Sequence, residues 1–219
     1  MSKSKITASL ICSFVAAALF VGCQTTYYAL WEKMGKEKRH LLRDQVENSL
    51  NDQEKASEAF KDALTRLKEM YGLDGGDLED MYNRLSNDYE NCQNRAEIID
   101  ERIDKIQRIA QDLFAEWRQE IDQIKNPTFR SQSTRKLKAT QSRFASLESA
   151  LMTARNRMNP VLSNLKDYVL YLKHNLNAQA IGSLKGEAGS IETDVNRLVR
   201  DIQRSIKAAD AFLKEFEKA

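Results

Sequence analysis

Cysteine, proline and histidine are scarce in this chain. The 219 residues include three cysteines, two prolines and two histidines. Cys12 and Cys23 lie near the start of the chain and Cys92 stands alone, so the sequence excludes a disulfide framework and a zinc site built on regularly spaced cysteines and histidines. With Pro127 and Pro160 as the only prolines, little in the sequence interrupts long helices.

Charge of one sign is not in excess either. The chain has 34 basic and 32 acidic side chains. Residues 1–22 contribute Lys3 and Lys5 and no acid, so the rest of the chain holds 32 of each sign. We therefore expect no nucleic acid partner, because the domains that bind nucleic acids carry a basic excess. Any electrostatic role has to come from a local cluster of charges.

One apolar run is present, at the beginning of the chain. Lys3 and Lys5 precede the uncharged residues 6–21, which are followed by Gly22 and Cys23. A basic start, a short apolar run and a small residue form the layout of a secretory signal, and the run is shorter than the about 20 residues of a membrane span. We predict that residues 1–22 are removed on export. An ordinary signal peptide, in which Cys23 has no role, and an uncleaved anchor are the alternatives.

Residues 19–23, Leu-Phe-Val-Gly-Cys, resemble the bacterial lipobox. Phe20 departs from the family pattern, which prefers Leu at that position. The resemblance implies that Cys23 becomes the mature N-terminus and carries diacylglycerol and palmitate, which would tether the chain to membrane lipid. In that family Gln24, rather than Asp, after the cysteine implies the outer membrane, facing the periplasm.

Beyond the apolar run, apolar residues recur at steps of three and four, the spacing of amphipathic helices. We predict a first helix from near Tyr28 to Tyr71, where the glycine-rich segment 72–76 ends it. A second helix should begin after Asp77, which can cap it, and end near Lys125, because a proline follows two residues later.

The third apolar stripe runs from Leu137 to Leu176 and passes Pro160 without losing phase, which predicts one kinked helix and not two. The last turn should lie between Ala178 and Ser190, because three glycines fall in that segment. No segment alternates regularly enough for a strand. The fold class predicted is therefore all-α, an elongated antiparallel bundle or coiled coil of about four long helices, forming a single domain over 23–219 behind the signal peptide 1–22.

A basic cluster lies where the second helix gives way to the third. If Cys23 is held at a membrane, antiparallel helices return the chain to that membrane around residues 126–136. Basic side chains there would lie close to lipid phosphates, which attract them by on the order of 1 kcal/mol each. A solvated helix end is the alternative. The expected membrane-proximal patch comprises Arg130, Arg135, Lys136, Lys138 and Arg143, with Phe129 among them.

Two further groups of residues are candidates for contacts with lipid or protein. The aromatic residues Tyr27, Tyr28 and Trp31 follow the tether and suit either a lipid interface or packing on the end of the bundle. Ser49 and Gln53 occupy inward positions of the first helix, where they mark either a site for a partner or a loosely packed end. Cys92 falls on an apolar stripe and is expected to be a buried, inert thiol.

Catalytic and metal-binding patterns are scarce. Glu37 and His40 have the Glu-x-x-His spacing of a di-iron bundle, but Tyr171 precedes His174 at that spacing, so the second copy is missing. We expect no enzymatic activity, no cofactor and no metal site.

The chain also resembles domain-of-unknown-function family 2959, a bacterial family of helical lipoproteins. The segment 27–35, Tyr-Tyr-Ala-Leu-Trp-Glu-Lys-Met-Gly, resembles the start of that family, and the resemblance covers nearly all of the mature chain. It implies a helical lipoprotein and no activity, substrate or catalytic residue.

Together these features predict a non-enzymatic, lipid-anchored scaffold or adaptor for other proteins of the cell envelope. Its protein partner is unidentified, and the sequence leaves homo-oligomerisation open. The alternative is a carrier that holds a small ligand, such as a lipid or a metal, between its helices. The residues expected to line such a pocket are Met152, Met158, Tyr168 and Tyr171.

Overall fold

The computed structural model describes residues 38–72 and 78–216, and in those ranges it contains helices and no strand. The helices are α1 (Lys38–Met70), α2 (Leu78–Gln123), α3 (Pro127–His174) and α4 (Ala178–Phe216). The chain divides into two compact units, residues 1–41 and 42–219. Only 38–41, the start of α1, are described in the first unit. The second unit is a helical bundle, which confirms the all-α prediction.

Contacts between α2 and α3 show that these helices are antiparallel. Near the end of α2, Trp117 Nε1 donates to Ser133 Oγ, near the start of α3, at 3.0 Å. Further back along α2, Asp100 forms an ion pair with Arg155, further forward along α3, at 3.0 Å. A short connection between antiparallel neighbours is the up-and-down arrangement expected from the sequence.

The same argument places α1 against α2. Arg66 pairs with Asp88 at 3.3 Å, and Arg102 pairs with Asp52 at 2.8 Å, so later residues of α1 meet earlier residues of α2. Helix α4 meets α3 in the same sense, because Arg143 pairs with Glu215 and Arg157 with Asp201. Lys68 on α1 pairs with Glu192 on α4 at 2.5 Å, which closes the circuit of four helices.

The core consists of the inward stripes that the apolar spacing predicted. Burying a large aliphatic or aromatic side chain stabilises a fold by about 1.5–3 kcal/mol, so these stripes hold the bundle together. Among the largest side chains that are fully buried are Phe60, Leu42 and Leu67 on α1, Leu85, Ile103 and Ile106 on α2, Leu147, Leu151, Met158 and Leu165 on α3, and Phe212 on α4.

An aromatic cluster joins three of the helices near the end where α3 begins. The ring of Phe114 on α2 meets that of Phe144 on α3 edge to face, with centroids 5.6 Å apart. Phe144 in turn meets Phe212 on α4 at 5.9 Å, and Phe212 stacks on Phe216 at 4.9 Å. These geometries are the favoured ones for aromatic pairs and fix the lateral order of α2, α3 and α4.

Helix α3 runs unbroken through Pro160, as the continuous phase predicted. Proline lacks an N–H and leaves the carbonyl group four residues earlier without its helical hydrogen bond. Here that carbonyl belongs to Asn156, and both Asn156 and Pro160 are exposed, so water can satisfy it. Burial of Met158 and Val161 on the opposite face keeps the helix in place.

Two expected boundaries were wrong. Helix α3 begins at Pro127, so its first ten residues are helical where the sequence predicted a connection over 126–136. The last turn falls at residues 175–177 and not between Ala178 and Ser190, because all three glycines of that segment lie on the exposed face of α4 while Ile181 and Leu184 are buried. A helix tolerates exposed glycine when its other face is packed.

The remaining predicted boundaries, the start near Tyr28 and the turn with Asp77, lie outside the described residues. None of the four described helices is apolar over enough residues to cross a membrane.

Candidate functional site

The connection between α2 and α3 is a tight, capped turn. Asn126 is extended, with φ −70° and ψ 118°, as expected for a residue before proline. Its side-chain oxygen accepts hydrogen bonds from the backbone N–H groups of Thr128 at 2.9 Å and Phe129 at 3.2 Å. Pro127 occupies the first helical position, where a missing N–H costs nothing. Asn126 and Pro127 together start α3.

Arg130 closes the same turn from the other side. Its Nε donates to the carbonyl oxygen of Ile124 at 2.9 Å, and its Nη2 donates to that of Asp122 at 3.1 Å. The last carbonyl groups of a helix have no partner within the helix and carry partial negative charge. The guanidinium of Arg130 therefore caps α2. The structure places this member of the expected patch in a structural contact.

The hairpin of α2 and α3 extends past the described residues of α1 and α4. Gln45, near the start of α1, accepts a hydrogen bond from Arg102 at 2.8 Å, and α2 continues beyond Arg102 to Gln123. Glu215, near the end of α4, pairs with Arg143, and α3 begins sixteen residues before Arg143. Among the residues that the structure describes, this end of the bundle is therefore formed by α2 and α3, and we call residues 117–138 the hairpin tip.

The other members of the expected patch fall into two groups. Arg143 lies outside the hairpin tip and is paired with Glu215 at 3.5 Å. Arg135, Lys136 and Lys138 lie within the tip and are exposed. Arg135 donates to Ser131 Oγ at 3.2 Å, one turn earlier on its own helix, and Lys136 interacts with other groups of the chain.

Lys125 belongs with these residues and was missed because it was read as the end of a helix. It is exposed and lies in the three-residue connection between α2 and α3. No acidic residue occurs from 123 to 147, whereas six basic residues do. Over the hairpin tip as a whole, six basic residues stand against two acidic ones. This local excess within a balanced chain is the signal that would have identified Lys125.

Phe129 lies at the apex of the hairpin tip. It is 60% exposed, the largest value among the exposed large apolar residues of the described chain. Behind it, the hydrogen bond between Trp117 and Ser133 and the buried side chains of Ile121 and Leu137 hold the two helices together. The apex therefore presents an aromatic ring on a supported base.

The other predicted contact residues lie elsewhere. Cys23, Tyr27, Tyr28 and Trp31 are outside the described residues. Ser49 and Gln53 are buried, as their inward positions predicted, and Ser57 extends this polar row one turn further along α1.

A polar layer crosses the middle of the bundle at Gln53. The neighbouring Asp52 pairs with Arg102 on α2, and on the far side Arg157 pairs with the buried Asp201 of α4. The Oε1 atom of Gln53 and the hydroxyl group of Ser205 on α4 are buried and have no hydrogen-bond partner.

Cys92 is buried, as its position on an apolar stripe predicted, and both described histidines lie at the surface. Burial of Cys92, with a smaller contribution from the carboxylates of Asp88 and Asp62, raises the pKa of its thiol to about 12. A thiol with so high a pKa is a poor nucleophile. His40 and His174 are exposed. Within residues 38–72 and 78–216, no three histidine, cysteine or acidic side chains are grouped so as to hold a metal ion.

The residues expected to line a carrier pocket point in different directions. Met158 is buried in the core, whereas Tyr171 is 40% exposed. A surface groove of about 340 Å³ lies instead between α3 and α4 beside Pro160. Its lining is formed by Thr153, Asn156, Arg157, Pro160, Val161 and Asp194.

Comparison with protein families places residues 27–216 in one family model, described as protein of unknown function (DUF2959). The match takes in every described helix. No curated protein and no solved structure matches the chain.

Proposed function

The chain belongs to the DUF2959 family, whose description supplies no activity, and from that premise we propose that it is a non-enzymatic, lipid-anchored scaffold or adaptor of the bacterial cell envelope. Cys23 would carry the lipid, and the helix surfaces would bind other envelope proteins. The outer membrane, facing the periplasm, is the proposed location.

The filled interior of the bundle carries this proposal. Helices α2 and α3 have 46 and 48 residues, and their inward side chains are buried and predominantly apolar from Leu85 to Ile121 and from Leu137 to Leu172. At about 1.5 Å per residue each helix is roughly 70 Å long. A long bundle with a packed interior offers its outer faces for recognition, and charged side chains dominate those faces.

The position of the tether supports an oriented attachment. Cys23 precedes Leu42 by nineteen residues. Leu42 lies near the start of α1, on the side of the bundle's middle where the hairpin tip lies. A lipid on Cys23 would therefore attach the bundle by that end and direct the connection between α3 and α4 away from the membrane.

Replacement of the anchored cysteine tests the tether. We expect the wild-type chain and the control Cys12→Ser, which changes a cysteine of the signal peptide, to incorporate radiolabelled palmitate and to float with membranes in a density gradient. Cys23→Ser should lose the label and leave the membrane fraction, because the lipobox then lacks the cysteine that accepts the lipid. Equal palmitate incorporation by Cys23→Ser would contradict the tether.

Crosslinking in intact cells tests the scaffold role. A photoreactive amino acid in place of the exposed Ile98, in the middle of α2, should give discrete adducts with other envelope proteins. Those adducts should disappear when Cys23→Ser is added, because the chain no longer stays at its membrane. The same adducts in both backgrounds, or none in either, would argue against an anchored scaffold.

A further inference from the structure

We propose that the hairpin tip is a second membrane contact, independent of the lipid tether. Phe129 enters the headgroup region of an anionic bilayer, Lys125 and Arg135 bind the lipid phosphates beside it, and Lys138 adds a weaker attraction from further back. This surface recognises anionic phospholipid through one aromatic side chain and these basic ones.

Phe129 lies in the first turn of α3. It lies four residues before Ser133 and eight before Leu137, in phase with the stripe that faces the core along the rest of the helix. Elsewhere this stripe is buried, whereas Phe129 is 60% exposed and precedes Leu137, the first buried residue of α3. The stripe therefore leaves the bundle at its end. An aromatic ring beyond the last packed layer has the placement of an interfacial anchor.

The charge around this ring is positive. Lys125 precedes it in the connection, and Arg135 and Lys138 follow about 9 Å and 14 Å further along the helix axis. All three are exposed. Lys125 lies beside the apex, and Arg135 and Lys138 extend the positive charge along α3 behind it. Basic groups next to an apolar anchor are the combination that binds anionic membranes, since the charges attract the surface and the anchor enters it.

Arg130 and Arg143, by contrast, are engaged in contacts within the bundle. Arg130 caps α2 through two carbonyl oxygens, and Arg143 is held by Glu215 about 21 Å from Phe129 along the axis. The electrostatic attraction of a membrane surface falls off within a Debye length, about 8–10 Å at physiological salt. Arg143 is too distant to contribute, and Lys138 should contribute less than Lys125 and Arg135.

The test places an environment-sensitive NBD fluorophore on the full chain through Phe129→Cys, and on a second chain through Tyr171→Cys. Tyr171 is the control because it is exposed and lies near the other end of α3. The buried Cys92 is protected from the label, and labelling of the wild-type chain measures any background from Cys12 and Cys23. Each chain is reconstituted by detergent removal into phosphatidylcholine vesicles with or without phosphatidylglycerol. NBD emission and its quenching by brominated lipids report on insertion.

We expect the emission of the label at position 129 to shift to the blue, and to be quenched by brominated lipid, when phosphatidylglycerol is present. The label at position 171 should not respond. The triple variant Lys125→Gln, Arg135→Gln, Lys138→Gln should lose the shift, because each removed charge weakens binding to an anionic surface about fivefold. The matched variant Lys166→Gln, Lys173→Gln, Lys185→Gln removes three exposed charges from the other end and should keep the shift.

Three results would overturn the proposal. The first is a label at position 129 that remains in water on anionic vesicles. The second is a shift that survives in the triple variant. The third is an equal shift on vesicles without anionic lipid, which would show that the apex does not recognise anionic headgroups. Flotation of the same vesicles reports separately on the Cys23 tether, so a failure of the tether and a failure of the tip are distinguishable. Unchanged thermal unfolding of both triple variants shows that the substitutions do not disturb the fold.

Discussion

At the scale of single residues, the interior of α1 is more polar than a bundle needs for stability. Gln53 is 1% exposed, and its Nε2 donates to the carbonyl oxygen of Ser49 at 3.1 Å. Ser49 in turn donates its hydroxyl to the carbonyl oxygen of Val46 at 2.7 Å. These bonds satisfy the donors within the helix, but Gln53 Oε1 has no partner, which costs about 1–3 kcal/mol. This polar row therefore weakens the packing of α1 against the core.

Cys92 makes the stability of the bundle depend on pH in the alkaline range. Burial raises its pKa from 9.0 in the unfolded chain to about 12. The folded chain therefore holds the thiol proton where the unfolded chain releases it. The stabilising contribution is complete below pH 9 and is lost as the pH rises from 9 through 12.

Comparison with Cys92→Ala isolates this effect from the titration of lysine and tyrosine residues. At pH 7 the wild-type chain should be the more stable of the two, because alanine leaves a small cavity. The difference in unfolding free energy, measured by urea denaturation, should shrink as the pH rises above 9. A difference that stays constant to pH 11 would contradict the assigned environment of Cys92.

At the scale of helices, local chemistry decided which boundaries could be predicted. The end of α2 and the extended Asn126 follow from Pro127, a residue with one strong effect on backbone geometry. The turn at 175–177 contains neither glycine nor proline and was missed. Asn177 nevertheless starts α4, because its side-chain oxygen accepts a hydrogen bond from the N–H of Ala180 at 2.9 Å. The preference of asparagine for the N-cap position indicates this start, whereas the glycines that follow favoured a later turn.

The three exposed glycines of α4 are an opportunity for stabilisation. Apart from the adjacent backbone of α4 itself, a Cβ atom at Gly182, Gly186 or Gly189 would meet no atom within 4 Å. Each Gly→Ala change in a helix reduces the conformational freedom of the unfolded chain and should add about 0.5–1 kcal/mol. The unfolding free energy of the triple variant, measured by urea titration and circular dichroism, should therefore exceed that of the wild type by about 1.5–3 kcal/mol.

The control for this variant is Ala145→Gly, which places a glycine at an exposed position of α3 and should destabilise the bundle. It should lose about 0.5–1 kcal/mol. If the glycine variant is no more stable than the wild type, residues 182–189 are not a continuous helix in solution.

At the scale of the whole bundle, the fold class was predictable and the relative lengths of its helices were not. The apolar spacing indicates how many helices form and which faces they bury. It carries no information on how far one helix slides along another, because the interdigitation of side chains from different helices decides that. Contacts such as Arg102 with Gln45 and Arg143 with Glu215 show the resulting register. Phe129 was therefore recognised as part of a basic cluster, but its exposure at the end of an inward stripe required the structure.

A packed interior and a ligand carrier differ in their response to added volume. Ala154 is 1% exposed on α3. In a filled core Ala154→Leu should cost about 1–3 kcal/mol of unfolding free energy, because neighbouring side chains must move, whereas the exposed control Ala145→Leu should be nearly neutral. In a carrier the added side chain would occupy the ligand space without such a cost. Urea denaturation of both variants, with native mass spectrometry for co-purified lipid, separates these cases.

The short connection between α2 and α3 also bears on how the chain folds. Trp117 and Ser133 are only 16 residues apart, and the pair formed by Gln107 and Glu148 is 41 apart, whereas Lys68 and Glu192 are 124 apart. Closing a short loop costs less entropy than closing a long one. Folding should begin at the apex of the hairpin, and contacts between α2 and α3 should then form in order away from it. The junction between α1 and α4 should be the last to form.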